Sequence, residues 1–189
     1  MFFVRWLPTV LGFPVGGWLA VQTVGSVDGP LTAALAGLIA GAVIGTAQWL
    51  ALRQRRVGLR WMIHTAVGMA AGSAIAAVVT DATTTVNALA VTGLITGAVV
   101  GATQATMLRR GTRIAAAWTA LVSLSWAVGS LITANVIVDA ERGYVTFGAS
   151  GALLVTVATG LALRRVLAVG RDREPSGTPM PRPVAAAHR

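Results

Sequence analysis

The feature that most constrains the fold of this chain is an internal repeat. Residues 37–53 (GLIAGAVIGTAQWLALR) recur 56 positions later as residues 93–109 (GLITGAVVGATQATMLR). A third, more divergent copy closes with ATGLALR at residues 158–164, which matches AQWLALR at residues 47–53. Repetition at a fixed period indicates one structural unit copied in tandem. We therefore predict three copies, at about residues 6–54, 61–110 and 117–167.

Each copy contains two long apolar stretches. Of the 189 residues, 55% are hydrophobic and 11% are charged, whereas soluble domains carry roughly 25% charged residues. A helix of about 20 residues crosses a hydrocarbon core of about 30 Å. Stretches of this length without an interior Asp, Glu or Arg lie at residues 6–26, 31–52, 61–80, 87–108, 115–137 and 144–163. The sequence predicts an all-α integral membrane bundle of six transmembrane helices, arranged as three tandem helical hairpins within residues 1–167.

The arginine distribution predicts the orientation of these helices. All 15 basic residues are arginines, and all but Arg142 fall at one end of the predicted helices. The opposite loops carry Asp28, Asp81, Asp139 and Glu141. Because basic loop residues mark the cytoplasmic side, we predict a protein of the bacterial plasma membrane with both termini in the cytoplasm. The last segment, residues 168–189, combines four prolines with mixed charge and is predicted to be a disordered cytoplasmic tail.

Tryptophans cluster near the predicted cytoplasmic helix ends. Amphipathic indole rings prefer the membrane–water interface, so an interfacial belt is predicted for Trp6, Trp49, Trp61 and Trp118. Two further tryptophans, Trp18 and Trp126, lie deeper in their helices. We expect these two to pack between helices.

Two predicted helices carry glycines at every fourth position. Residues four apart lie on one helical face, and glycine allows neighbouring backbones to approach closely. The stripes consist of Gly37, Gly41 and Gly45 in the second helix, and Gly93, Gly97 and Gly101 in the fourth. We predict that they serve helix packing within the chain; a homodimer face and a ligand groove are the alternatives.

A candidate polar cluster follows these stripes. Gln48 and Gln104 occupy equivalent positions in the first two copies, and Thr159 takes that position in the third. An amide within a membrane bonds across helices, a contact worth about 0.6 kcal/mol on average, so Gln48→Leu is expected to be nearly neutral for folding. The alternative is that the three side chains face one another and bind a small polar solute or a lipid headgroup.

No set of residues suits catalysis or metal binding. The chain has no cysteine and only two histidines, and its external carboxylates are expected at solvated loop tips. Intramembrane charges, which mark ion-coupled transport, are missing from the predicted helices. We therefore predict a protein that is not an enzyme and has no catalytic residues, no metal and no cofactor. Nucleic acid is not an expected partner, because no binding fold or aromatic-interleaved basic patch is recognisable.

The block Gln48-Trp-Leu-Ala-Leu-Arg53, with Trp61 and Gly72 after it, resembles a group of uncharacterised bacterial multi-pass membrane proteins that repeat a Gln-Trp-Leu-x-Leu-Arg block before a Trp-led helix. The resemblance covers about residues 31–167, and Ala105 departs from it. It implies an integral membrane protein without an established activity.

Two functions follow from these observations. The first is a structural or accessory role in which the chain packs against membrane lipid, with anionic headgroups at the cytoplasmic arginines, against a second copy or against another membrane protein. The alternative is a passive conduit or carrier for a small uncharged solute or a lipid along a pseudo-threefold axis.

Overall fold

The structure, a computed structural model, describes residues 2–55, 57–136 and 149–168, and every regular element in these ranges is helical. This confirms the all-α prediction for the described part of the chain. Its helices are α1 Phe2–Trp6, α2 Gly12–Val24, α3 Pro30–Leu52, α4 Arg60–Thr80, α5 Val86–Leu108, α6 Thr112–Val136 and α7 Ala149–Ala168. Short 3₁₀ turns occur at Leu7–Leu11 and Arg53–Arg55.

Five stretches within the described ranges are long and apolar enough to cross a membrane. They are Phe2–Val24, α3, α4, α5 and most of α6. Helix α7, which carries Arg164 and Arg165 near its end, is not among them. The predicted sixth stretch begins at 144, and residues 144–148 lie outside the described residues, as does the predicted tail from residue 169 onward.

The first apolar stretch is irregular because it contains two prolines. Pro8 lies in the 3₁₀ turn Leu7–Leu11, which joins α1 to α2. A proline nitrogen carries no hydrogen to donate to the carbonyl four residues earlier, so the α-helical ladder is interrupted there. Pro14 lies in the first turn of α2, where backbone N–H groups have no partner within the helix. The α-helix can thus contain Pro14 and begins at Gly12, directly after the 3₁₀ turn.

Polar side chains fix the helix starts at the end of the bundle that carries Asp28. The Thr32 hydroxyl accepts a hydrogen bond from the Gly29 N–H at 3.1 Å and donates one to the Asp28 carboxylate at 3.0 Å. The Thr85 hydroxyl accepts from the N–H three residues later at 3.3 Å. These bonds satisfy backbone donors that a helix start leaves free.

Helices α2 to α7 pack in chain order, each against the next, and α7 returns to the N-terminal segment. The Trp6 Nε1–H donates to the Thr156 carbonyl at 2.7 Å. A Cβ added to Gly160 would contact the Trp6 indole, with 2.7 Å to Nε1. Trp6 and Gly160 therefore close the helices into a ring, and a larger residue at 160 would displace the indole.

Three tryptophans predicted for an interfacial belt face the interior of the ring. Trp6, Trp61 and Trp118 are all buried. The rings of Trp61 and Trp118 meet edge to face with centroids 6.2 Å apart. These side chains fill the core near the end of the bundle that carries Arg5, Arg53, Arg60 and Arg109, hereafter the arginine end.

The two deeper tryptophans differ from each other. Trp126 is buried and packs against Phe13 with ring centroids 6.0 Å apart, as predicted. Trp18 is 56% exposed, so the prediction that it packs between helices is wrong. The buried face of α2 passes through Gly17 and Ala20; Trp18 follows Gly17 by one residue and is rotated about 100° away from that face.

The glycine stripes lie where neighbouring helices approach most closely. Gly37, Gly41 and Gly45 face α4, and Gly93, Gly97 and Gly101 face α6. A Cβ at Gly41 would lie 2.8 Å from the Ala66 Cα, and a Cβ at Gly97 would lie 2.9 Å from the Ser123 Cα. Each stripe thus faces the helix that follows it in the chain, across a loop at the arginine end.

Candidate functional site: a buried polar cluster

The amides of Gln48 and Gln104 meet inside the bundle near the arginine end. Gln48 comes from the last turns of α3 and Gln104 from the last turns of α5, and α4 contributes two partners. The Gln104 Nε2 donates to the Gln48 Oε1 at 3.3 Å and to the Thr65 Oγ1 at 3.0 Å. The Trp61 Nε1–H donates to the same Gln48 oxygen at 3.0 Å. These four side chains, Gln48, Trp61, Thr65 and Gln104, form the polar cluster discussed below.

The cluster is buried and uncharged. Gln48 is 7% exposed and Gln104 is 3% exposed. The Thr65 hydroxyl, while it accepts from Gln104, donates to the Trp61 carbonyl one helical turn earlier at 2.9 Å. Every member is neutral, so the cluster offers hydrogen-bond donors and acceptors but no acid, base or fixed charge.

Thr159, the third residue of the predicted cluster, forms its hydrogen bonds elsewhere. Its hydroxyl donates to the Val155 carbonyl at 2.6 Å, within its own helix. A threonine side chain is too short to reach across a helix interface as a glutamine does, and the carbonyl four residues earlier is a nearby acceptor. The structure therefore brings together two of the three predicted residues.

Sequence reasoning missed Trp61 and Thr65 as cluster members. The interfacial location predicted for Trp61 rests only on its position near a helix end. The sequence nevertheless contains a signal for this contact. Gln48 lies near the end of one predicted helix and Trp61 at the start of the next, and the short loop between them places both residues at one end of adjacent antiparallel helices. Thr65 follows Trp61 by four residues and thus shares its helical face.

The three repeated tryptophans bond differently. Trp61 donates to a glutamine side chain, and Trp6 donates to the backbone carbonyl of Thr156. The buried Nε1 of Trp118 has no hydrogen-bond partner among the described residues. Gln104, which by the repeat would accept from Trp118, instead turns its Nε2 toward Gln48 and Thr65. The copies therefore share positions but not hydrogen-bonding patterns.

The residues in ranges 2–55, 57–136 and 149–168 contain no group of three or more His, Cys, Asp or Glu side chains placed to hold a metal ion.

Comparisons of the chain with protein families, with curated proteins and with solved structures each gave no match. The resemblance based on the Gln-Trp-Leu block stays a prediction, and function must be argued from the residues themselves.

Proposed function

We propose that the chain is an integral protein of the bacterial plasma membrane with a non-enzymatic structural or accessory role, in which it packs against lipid or protein partners. In this proposal α1 and α2 together form the first of six spans, and α7 forms the last. Three tandem hairpins descend from one duplicated unit. The arginine end and both termini face the cytoplasm, in accordance with the preference of basic residues for that side.

The observation that carries this proposal is that the side chains of the polar cluster form hydrogen bonds with one another. The Gln48 oxygen accepts from two donors, and the Gln104 amide donates to two acceptors. A solute would have to compete with these bonds in a buried site. The cluster therefore supports a role in holding α3, α4 and α5 together, rather than in handling a solute.

The outer surface of the bundle also supports a membrane role. Large apolar side chains are exposed along most of the helices. They include Leu31, Leu35, Leu38, Val67, Ile75, Val78, Val79, Leu94, Leu124 and Leu161. Exposed apolar surface on this scale requires lipid or a protein partner. Lipid covers it in the simplest form of the proposal, and a second copy or another membrane protein covers part of it in the accessory form.

Cysteine labelling tests the orientation. The native chain has no cysteine, so each single-cysteine variant carries one reactive thiol. In intact cells a membrane-impermeant maleimide should label Ser26→Cys and Thr84→Cys, which lie in exposed loops. It should label Gln54→Cys only after permeabilisation, because residue 54 lies at the arginine end. The reverse pattern would contradict the proposed orientation.

Vesicle swelling tests the conduit alternative. Proteoliposomes containing the full chain should admit glycerol or urea no faster than protein-free vesicles, measured by stopped-flow light scattering. The physical reason is that rings from three helices, Phe13, Trp61, Trp118 and Trp126, meet in the interior. Faster swelling that rises with the amount of protein would favour the conduit and overturn the accessory role.

A further inference from the structure

A cleft of about 450 Å³ opens at the arginine end, between the N-terminal segment and the end of α3. Arg5 and Arg53 both line it. The only acidic residues within the described ranges, Asp28 and Asp81, lie at the opposite end of the bundle. No described carboxylate therefore balances the two guanidinium groups, and the cleft attracts anions.

A buried hydroxyl adjoins the same cleft without a partner. Thr9 lines the cleft and is 3% exposed, yet its Oγ1 forms no hydrogen bond with any described residue. Thr23 and Thr46 donate to the carbonyl four residues earlier, whereas Thr96, Thr133 and Thr156 share the unpartnered state of Thr9. Thr9 lies in the 3₁₀ turn that follows from Pro8, where this bond is not made. The Oγ1 atom is itself buried, and a change of χ1 rotamer, which moves a hydroxyl among three staggered positions, would turn this donor toward the cleft.

The remaining wall of the cleft combines apolar residues with the polar Gln54. Pro8, Ala47 and Leu50 line it, and Leu50 is exposed toward the outer surface. Along the helix axis Thr9 lies about 6–8 Å deeper than Arg5, at 1.5–2.0 Å per residue. The cleft thus combines cations at the rim, an unpaired hydroxyl one turn deeper and an apolar exit to the side.

We propose that this cleft binds an anionic phospholipid, with its headgroup phosphate between Arg5 and Arg53. Guanidinium groups are suited to phosphate, because their N–H donors match its oxygens. The Thr9 hydroxyl donates to an ester oxygen of the lipid, and one acyl chain leaves along Leu50. This inference rests on the proposed membrane location and specifies the lipid chemistry at one site, beyond a general attraction of arginines to the anionic leaflet.

Native mass spectrometry of the full chain in mild detergent tests the proposal. Phosphatidylglycerol should be retained as one tightly held molecule, and phosphatidylcholine with the same acyl chains should be lost more readily. Arg5→Gln/Arg53→Gln should weaken phosphatidylglycerol retention by about tenfold or more, since each arginine near an anionic lipid contributes an attraction of order fivefold. Thr9→Val, which keeps charge and shape, should weaken it by about fivefold.

The matched control is Arg109→Gln/Arg110→Gln, which removes the same charge at the same end of the bundle and should leave retention unchanged. Equal weakening by this control would show unspecific attraction and overturn the proposal, as would equal retention of the two lipids or unaltered retention by Thr9→Val. Inorganic phosphate or glycerol 3-phosphate that competes at low concentration would assign the cleft to a soluble ligand instead. Labelling of Ser26→Cys and Thr84→Cys, which lie away from the cleft, reports membrane orientation separately in the same variants, so a failed lipid site and a failed membrane proposal give different results.

Discussion

Gly97→Leu is expected to prevent normal assembly of the bundle. A Cβ at this position alone would lie 2.8 Å from the Trp126 Cβ and 2.9 Å from the Ser123 Cα. Both atoms belong to or adjoin the backbone of α6, so no rotamer change relieves the contact and the helices must separate. Overpacking costs about 1–3 kcal/mol and occasionally more, and we expect at least the upper value here. The measurement is the unfolding temperature and gel-filtration profile in mild detergent.

Two further variants serve as comparisons for Gly97→Leu. Ala102→Leu adds a similar side chain to an exposed position of the same helix and should unfold close to the wild-type temperature. Gly41→Leu should destabilise the bundle to a similar extent, because a Cβ there would lie 2.7 Å from the Met69 Cβ and 2.8 Å from the Ala66 Cα. If Gly97→Leu extracts and unfolds like Ala102→Leu, then close packing of the glycine stripes is refuted.

Gln48→Leu is expected to lower the free energy of unfolding by about 1–3 kcal/mol, the cost of leaving buried donors unpaired. The substitution removes the oxygen that accepts from both Trp61 and Gln104. This expectation replaces the near-neutral effect predicted from sequence, which assumed a single average bond across helices. Reversible unfolding of the purified chain in a mixed-micelle titration provides the measurement.

A double-mutant cycle identifies the cluster as the cause. Gln48→Leu/Gln104→Leu should be less destabilising than the sum of the single variants, because either single change already breaks the hydrogen bond between the two amides, and the second change cannot break it again. Gln22→Leu, at an exposed position of α2, should change the free energy of unfolding by less than about 0.5 kcal/mol. Strict additivity of the two cluster substitutions would mean that the hydrogen bond between the amides has no energetic role.

The helical class and most helix bounds could be predicted from the sequence, because long apolar runs between polar loops leave little alternative in a membrane. The predicted stretches 31–52, 61–80 and 87–108 agree with α3, α4 and α5 to within one residue at each end. The first helix could not be predicted as well, since hydropathy does not register how Pro8 converts residues 7–11 to a 3₁₀ turn. Closure of the ring was also beyond sequence reasoning, because it depends on residue 6 meeting residues 156 and 160.

The polar cluster was only partly predictable. The repeat placed Gln48 and Gln104 at equivalent positions, and equivalent positions at one depth indicate proximity. Depth alone does not reveal which face of a helix points inward, and this is why Trp61 was assigned to the interface. The repeat also predicts a place in the cluster for Thr159. Its position is equivalent to that of Gln48 and Gln104, but a threonine side chain is too short to reach across a helix interface.

Contact between Trp6 and α7 joins two parts of the chain that leave the ribosome 150 residues apart. Until residues 156–160 arrive, the indole N–H of Trp6 has no carbonyl to receive its hydrogen bond, and the seam between the N-terminal segment and α7 stays open. A nascent chain released early keeps that seam. A chain that stops before these residues therefore holds its N-terminal segment less firmly than a chain that contains them.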